Sequence, residues 1–318
     1  MNRIRAHLLV LMVLLLTVSC QPGTDHEPDV LGTAVDEALT WAEAHPADLS
    51  DGGIIEVAEE IVAFHVLSRY AENAQAKDAL RGKIVDRLDL IISAGEFTVQ
   101  PQEVTMVLTL ADIADELGLE QAEFFRRLID EQLIPGNLLC PPHVMTCLWT
   151  ALYMQRLGYP PSQPVAEILG QSTLAKEVRQ RLLYQHAGSP ADLQFINPTT
   201  ITAYDLTHEV FALTDFGALP PPQIVVENRV FFSQLFDRLI EWAIAIKHLD
   251  ILNEAIMCVK ILDLEDVPSL QRGIEFTLSN QQGDGSFGVT NPARPNVFRH
   301  GVLVSTMALT MVHDDVTR

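Results

Sequence analysis

Apolar residues recur at spacings of three and four along almost the whole 318-residue chain, and no segment of useful length alternates between apolar and polar residues. The first pattern is typical of amphipathic helices, whereas alternation is typical of half-buried strands. The spacing predicts helices over residues 54–70, 77–93, 103–117, 120–132, 143–157, 173–186, 205–213, 231–247, 250–262, 270–279 and 299–312. The sequence therefore predicts an all-α fold.

The predicted helices alternate between two kinds. One kind ends in a turn such as Leu117-Gly118 or Leu157-Gly158, and the next helix is longer and more charged. Helices of the first kind start near residues 54, 105, 143, 204, 250 and 299, so a helical hairpin occurs about six times. We expect an α/α toroid over residues 30–318, in which the N-terminal ends of the inner helices face one mouth. An open α-solenoid of stacked pairs is the alternative.

The N-terminus has the pattern of a secretory signal. Arg3 and Arg5 precede an apolar run of nine residues, 8–16, which is too short to cross a bilayer. The run ends in Leu-Thr-Val-Ser-Cys20, which resembles a bacterial lipobox, although Leu is usual at the position of Thr17. We expect residues 1–19 to be a lipoprotein signal peptide, Cys20 to carry lipid and palmitate, and residues 20–29 to form a flexible tether. An ordinary signal peptide with an incidental cysteine is the alternative.

The charge restricts the partners. The chain has 21 Lys and Arg against 42 Asp and Glu, a net charge of −21. Binding to phosphate backbones needs basic patches, so this composition argues against nucleic acid as a partner. Acidic surfaces are also not attracted to anionic lipids, so the lipid on Cys20 would hold the protein to a bacterial membrane, outside the cytoplasm. The remaining partner would be a small ligand or another envelope protein.

Three cysteines follow Cys20. Cys140 and Cys147 could form a disulfide across a proline-containing turn, and Cys140, His143 and Cys147 have a spacing that resembles a metal site. The third interpretation is that these cysteines are buried in the core as small apolar side chains. Zinc sites use three or four ligands at a defined geometry, and a fourth ligand is not visible here. We therefore predict no metal and no cofactor.

The segment 204–217 places several polar residues in an otherwise apolar helical run. Polar groups are costly to bury unless they are paired, so a site or a buried network is expected there. His208 and Asp215 lie two helical turns apart, and alignment on the helix-ending turns places Glu254 opposite His208. With His300 from the last inner helix, these residues could face the cavity and act as general acids or bases. A structural network that fixes the packing of the helices is the alternative.

Other signals point away from common enzymes. The sequence has no G-x-S-x-G, H-E-x-x-H, G-x-G-x-x-G or P-loop motif, so the main signatures of serine hydrolases, zinc proteases and nucleotide-binding proteins are missing. The glutamates at positions 56, 59 and 60 are expected to form a solvated helix face. The sequence therefore favours a binding or accessory protein, and an enzyme that uses a His/Asp/Glu cluster is the alternative.

Residues 278–288 read L-S-N-Q-Q-G-D-G-S-F-G, and this stretch resembles the Q-x-x-D-G-x-W loop of terpenoid cyclases and prenyltransferases. The resemblance implies an α/α toroid, in which Gln281 bonds a helix end, Gly285 permits a tight turn and Phe287 packs over the junction. Phe287 replaces the usual Trp. The D-x-D-D and D-D-x-x-D motifs of the cyclases are missing, so the resemblance extends to fold and not to chemistry.

Residues 204–309 also resemble a family of uncharacterised bacterial proteins. The shared pattern is Y-x-L-T-H-x-x-F-x-x-T-D-F-G, then D-L-x-x-E-x-x-x-C, then the glycine-rich loop. This resemblance implies a shared fold and no established activity.

Overall fold

The computed structural model describes residues 29–49, 54–71, 73–95, 98–136, 143–186, 200–288 and 295–317. These residues form 14 α-helices and no strand, and an isolated β-bridge joins Gln281 and Phe287. The all-α prediction is confirmed. By its contacts, the chain from Leu31 onward is one unit.

Most of the predicted helices are found within a few residues of their expected bounds. They are α1 (Val30–Ala44), α2 (Ile54–Tyr70), α3 (Ala74–Ser93), α4 (Val104–Glu116), α5 (Ala122–Leu128), α6 (Val144–Arg156), α7 (Val165–Leu169), α8 (Thr173–His186), α9 (Thr200–Thr214), α10 (Gln223–Val226), α11 (Arg229–Ile246), α12 (Leu249–Ile261), α13 (Leu270–Ser279) and α14 (Pro295–Thr317). A 3₁₀ turn, Pro101–Glu103, precedes α4, and a π-helical turn, Ile129–Leu133, continues α5. Helices α1, α7 and α10 were not predicted.

Six helices contact one another in a cycle. Along the chain, α2 packs on α4, α4 on α6, α6 on α9, α9 on α12 and α12 on α14, and α14 then packs on α2. These six inner helices are the ones whose starts the hairpin pattern predicted. A toroid requires the contact between α14 and α2, and an open solenoid lacks it. The toroid remains a prediction, and the contact between α14 and α2 favours it over the open solenoid.

The remaining long helices pack outside the cycle. Helix α3 lies against α2, α5 against α4, α8 against α9, and both α11 and α13 against α12. With neighbours on several sides, α12 buries every residue from Ile251 to Val259, including Asn253 and Glu254. A helix that is enclosed in this way needs apolar residues around most of its circumference, as the sequence of α12 has.

The inner helices α4, α6, α9 and α12 end in the same way. The first or second residue beyond each helix end adopts a left-handed conformation, with φ of +62° at Gly118, +82° at Gly158, +49° at Asp215 and +50° at Asp263. A backbone N–H beyond this residue then bonds back into the last turn, as Leu119 does to the carbonyl of Ala114 at 2.8 Å. Such caps satisfy carbonyls at the helix end and reverse the chain.

The glycine-rich loop fastens α1 to the C-terminal part of the chain. Gln281 Nε2 donates to the carbonyl of Ala34 at 2.9 Å, and Phe287 is buried. Gly285 has φ of +90°, and a Cβ atom there would lie 2.4 Å from the carbonyl oxygen of Glu37. Only glycine fits such a position. The tight turn expected at Gly285 is therefore present, and Gln281 bonds α1.

Several predictions fall outside the described residues. The signal peptide, Cys20 and almost all of the tether lie before residue 29, and Cys140 lies in the segment 137–142. Among the helices of the described ranges, none combines the length and the hydropathy that a membrane crossing requires.

Candidate functional site

A cavity of about 240 Å³ lies among the inner helices, and each of the six contributes to its lining. Most of the lining is apolar and comes from Val62, Met106, Met145, Trp149, Phe211, Phe216, Met257, Leu303, Val304 and Met307. The charged or titratable lining residues are Glu59, His208, Glu254 and His300. They come from α2, α9, α12 and α14, which follow one another in the cycle of contacts. The titratable side chains therefore lie along one wall of the cavity, which we call the polar wall, and the threonines at positions 105, 109 and 146 line the cavity elsewhere.

His208 and Glu254 form the first pair on this wall. His208 Nε2 lies 3.0 Å from Glu254 Oε1, and the hydroxyl of Thr207 donates to Glu254 Oε2. Glu254 is 1% exposed, whereas the His208 side chain is 27% exposed. Burial acts to lower the pKa of His208, but the Glu254 carboxylate outweighs it and raises that pKa above the usual value. The pair therefore favours a charged imidazolium beside a carboxylate.

His300 forms a second group with carboxylates on either side of its ring. Its Nδ1 lies 3.2 Å from Glu59 Oε2, and its Nε2 lies 3.4 Å from Asp250 Oδ1. Burial acts to lower the pKa of His300, but Asp250 and Glu59 raise it well above its usual value. For Asp250, burial acts in the raising direction, but His300 and the Tyr204 hydroxyl lower its pKa to about 2.

These contacts join three helices. Tyr204 on α9 donates its hydroxyl proton to Asp250 Oδ2 on α12, and Asp250 in turn faces His300 on α14. We call Glu59, His208, Asp250, Glu254 and His300 the histidine–carboxylate cluster. Three of the four predicted site residues belong to it. Sequence reasoning did not assign Asp250 or Glu59 to the site, although the i,i+4 spacing of Asp250 and Glu254 was a visible signal.

The prediction that Asp215 joins this site needs correction. Asp215 follows the end of α9 with φ of +49°, so the chain has already left the helix whose face His208 occupies. Its carboxylate lies 2.8 Å from both Arg69 and Arg156. Its backbone carbonyl also accepts from Arg69 at 2.7 Å. The structure therefore places Asp215 in a different group of charges.

That second group lies at the C-terminal ends of α2, α4, α6 and α9. Arg69 also bonds Glu116 at 2.7 Å, and Arg156 also approaches Asp112 at 3.3 Å. We call Arg69, Asp112, Glu116, Arg156 and Asp215 the arginine–carboxylate cluster. Cations at helix C-termini are favoured by the partial negative charge there, so the two arginines are well placed for packing helix ends together.

Asp205 and Glu209, the other acidic residues of segment 204–217, contact residues outside both clusters. Asp205 lies 3.4 Å from the exposed His143. Glu209 is buried and accepts from the backbone N–H groups of Thr173 and Leu174 at 2.7 and 2.9 Å, at the start of α8. Burial raises the pKa of Glu209 to about 7 in spite of these bonds. The crowding of polar residues thus reflects several separate partners.

The glutamates of α2 were predicted to be solvated, and this prediction was wrong. Glu56 and Glu60 are 8% and 1% exposed, and Glu59 lines the cavity. Glu60 bonds Arg87 at 2.8 Å and the backbone N–H of Ala47 at 2.6 Å. Because α2 is an inner helix with neighbours on both sides, its carboxylates find partners from distant parts of the chain.

The two described cysteines that follow the tether are buried. Cys147 packs with Leu148, Ala151 and Ile168 in a small apolar cluster. The thiol of Cys258 approaches the carbonyl of Thr207 at 3.8 Å. These surroundings fit the reading of both residues as core side chains, and the disulfide alternative depends on Cys140, outside the described residues.

The histidine–carboxylate cluster can hold and transfer protons, and it can bind a cation or a hydrogen-bond donor that enters the cavity.

Comparison with known proteins adds a family. Residues 31–299 match the model of a family described as "Domain of unknown function (DUF6895)". No curated protein and no solved structure matches the chain.

Proposed function

The chain belongs to the DUF6895 family, and we propose that it is a lipid-anchored cell-envelope protein whose helical toroid binds a small, mostly apolar ligand. The cavity among the six inner helices is the observation that supports this proposal. Ligand sites are typically concave and mostly apolar, with a few convergent polar groups. This cavity has that composition.

The apolar part of the lining indicates the body of the ligand. Four methionines and three aromatic side chains line the cavity, with Trp149 and Phe211 among the latter. Methionine side chains adapt to irregular apolar shapes. A volume of about 240 Å³ is slightly below the roughly 300–1,000 Å³ of pockets for drug-sized molecules. The expected ligand is therefore a small apolar molecule.

The polar wall indicates the other end of the ligand. Two carboxylates, Glu59 and Glu254, line the cavity beside two histidines, so a group that donates hydrogen bonds is favoured there. A hydroxyl or an amine fits this requirement. A carboxylate would instead lie beside the carboxylates of Glu59 and Glu254, and we expect it to bind less well.

The cavity can be tested with small probes. We expect hexan-1-ol and hexylamine to bind the full-length protein in nanodiscs with one equivalent per chain, measured by titration calorimetry, and hexanoate to bind more weakly. Leu303→Trp should fill the cavity and weaken binding by at least about tenfold, which corresponds to roughly 1.4 kcal/mol. Leu303 is 3% exposed and lines the cavity.

Val230→Trp is the matched control because Val230 is 68% exposed on α11. Leu303→Phe, a smaller change, serves if the tryptophan variant does not fold. Equal binding of the alcohol by Leu303→Trp or Leu303→Phe and by the unaltered protein would contradict the proposal. A preference for hexanoate would contradict the proposed role of the polar wall.

Attachment through a lipid is supported by the sequence around Cys20, and the acidic composition of the chain argues against attachment by surface charge. Palmitate labelling in a bacterial host should be lost in Cys20→Ala and retained in Cys147→Ala. Labelling that persists in Cys20→Ala would show that the lipid is not on this cysteine.

An enzyme is the second candidate, because His208 and Glu254 face the cavity as a bonded pair at 3.0 Å. Such a pair can act as a general acid and base near neutral pH. His300 would assist, and the reaction class would be hydrolase, lyase or cyclase-like. If a bound envelope molecule is converted, mass spectrometry should detect a product that His208→Gln no longer forms while it still binds the reactant.

A further inference from the structure

Three side chains of the histidine–carboxylate cluster lie close enough together to form a metal site. Asp250 and Glu254 lie four residues apart on one face of α12, and His300 reaches them from the neighbouring α14. One ligand atom of each residue lies within 4.8 Å of the ligand atoms of the other two. A histidine nitrogen with carboxylate oxygens is a donor set that suits zinc and related divalent ions.

Each of the three residues is also oriented by a neighbour through its other polar atom. Tyr204 donates to Asp250 Oδ2, Thr207 donates to Glu254 Oε2, and Glu59 lies 3.2 Å from His300 Nδ1. In metal sites, a carboxylate or hydroxyl behind each ligand fixes its orientation, and a carboxylate behind a histidine also raises its basicity. All three residues have such a neighbour.

One oxygen of the group has an ion-pair partner but no hydrogen bond. Asp250 Oδ1 is buried and has no hydrogen bond within the described residues, although His300 Nε2 lies 3.4 Å away. A buried acceptor without a hydrogen bond is costly, so its position calls for an explanation. A cation between Asp250 Oδ1 and His300 Nε2 provides one.

We propose that Asp250, Glu254 and His300 bind one divalent first-row transition-metal ion, with zinc as the expected occupant. Bonds of about 2.0–2.2 Å place tetrahedral donor atoms roughly 3.4 Å apart, which is the distance between Asp250 Oδ1 and His300 Nε2. The Glu254 carboxylate has an oxygen within 4.8 Å of a ligand atom of each of the other two residues, and it supplies the third side. Because Glu254 and His300 line the cavity, the fourth position faces it. This site goes beyond the proposed binding of an apolar ligand and does not depend on it.

The metal can be measured directly on the full-length protein, purified in detergent, stripped with a chelator and dialysed. We expect titration calorimetry with zinc chloride to give one ion per chain, with release of protons because His300 must lose its proton to bind. We expect Asp250→Asn, Glu254→Gln and His300→Ala each to weaken zinc binding at least 100-fold. Tyr204→Phe and Thr207→Val should weaken it by roughly 10- to 100-fold.

Cobalt(II) supplies a second readout that identifies the donor atoms. The expected spectrum has the visible bands of a tetrahedral nitrogen and oxygen site and lacks the near-ultraviolet band of a thiolate ligand. Glu116→Gln in the arginine–carboxylate cluster is the matched control and should bind zinc normally. His143→Ala should also bind normally, and it tests the alternative site at Cys140, His143 and Cys147.

Two results would overturn the proposal. One is the failure of the stripped, folded protein to bind zinc stoichiometrically. The other is a thiolate band together with loss of binding in His143→Ala, which would place the metal at the cysteines. If the three ligand variants do not fold, the cobalt spectra of the unaltered protein and of Tyr204→Phe decide the question.

Discussion

The two charged clusters of this protein lie at different levels of the inner helices, have α2 and α9 in common and differ in their cations. The histidine–carboxylate cluster faces the cavity, whereas the arginine–carboxylate cluster joins the C-terminal ends of α2, α4, α6 and α9. Arginine keeps its charge at any ordinary pH, but histidine can release its proton near neutrality. The histidines of the first cluster can therefore lose their charge near neutrality, whereas the arginines of the second cannot.

This difference separates a structural role from a functional one by chemistry and not by position in the sequence. Both clusters include residues from the same helix region, since His208 and Asp215 are only seven residues apart. A fixed network of arginines is suited to holding helix ends together. A cluster with titratable cations and an oxygen that lacks a hydrogen bond is suited to exchanging a proton or binding a ligand.

The largest effect is expected from Arg156→Ala. The change leaves Asp215, whose side chain is 13% exposed, and Asp112, which is 15% exposed, without one of their cations. Removing one partner of a buried ion pair costs about 3–5 kcal/mol because the remaining charge is stranded. Urea unfolding should show this loss. Arg229→Ala, in an exposed pair with Asp263, is the control and should cost less than about 1 kcal/mol. A similar loss in the free energy of unfolding for the two variants would contradict a structural role of the arginine–carboxylate cluster.

A pH dependence should reveal the imbalance within the arginine–carboxylate cluster, where three carboxylates share two arginines. Burial raises the pKa of Asp112 to about 6, although Arg156 acts in the opposite direction. Because the folded protein then binds a proton more tightly than the unfolded chain, this group stabilises the fold fully below about pH 4, and the contribution is lost as the pH rises through 6.

The size of this contribution is on the order of 3 kcal/mol. Urea unfolding between pH 4 and 7 should show a decline in stability that Asp112→Asn reduces. Asp115→Asn, at an exposed carboxylate paired with Arg126, should leave the decline unchanged. A decline that Asp112→Asn does not alter would show that another group carries it.

A smaller effect on stability is expected from Glu254→Gln, although this residue is more deeply buried than Asp215. Glutamine keeps an acceptor for Thr207 or His208, and His208 can give up its proton, so no charge is stranded. We expect a change of about 1 kcal/mol or less in the free energy of unfolding. A loss as large as that of Arg156→Ala would make the histidine–carboxylate cluster structural too, and the comparison of the two clusters would fail.

The sequence predicts the fold well where the periodicity is strong. The six inner helices start close to their predicted positions, because each has a long apolar face and four of them end in a turn with a left-handed residue. Helix α1 was missed because its buried residues are Ala34, Ala38, Trp41 and Ala42. Three alanines give a weak apolar signal, and the burial of this helix depends on partners such as the loop at Gln281.

The site was predicted in part. His208, Glu254 and His300 could be found because polar residues stand out in apolar helices. Glu59 and Asp250 were not assigned, since their contacts with His300 join residues about 240 and 50 positions apart in the chain. Asp215 was placed by helical periodicity, which no longer applies once the chain turns at its left-handed backbone. Local sequence patterns do not specify which helices contact one another or where the helices end.

The smallest effect is expected from Asp205→Asn, a polar residue of segment 204–217 that belongs to neither cluster. Its partner His143 is 49% exposed, and the two side chains are 3.4 Å apart. Exposed pairs of this kind contribute little, so the change in stability should stay within about 0.5 kcal/mol. Zinc and hexan-1-ol should bind as before, measured by calorimetry. If Asp205→Asn instead impairs either ligand, the site extends to the surface beside α6, and the functional cluster is larger than the five residues assigned to it.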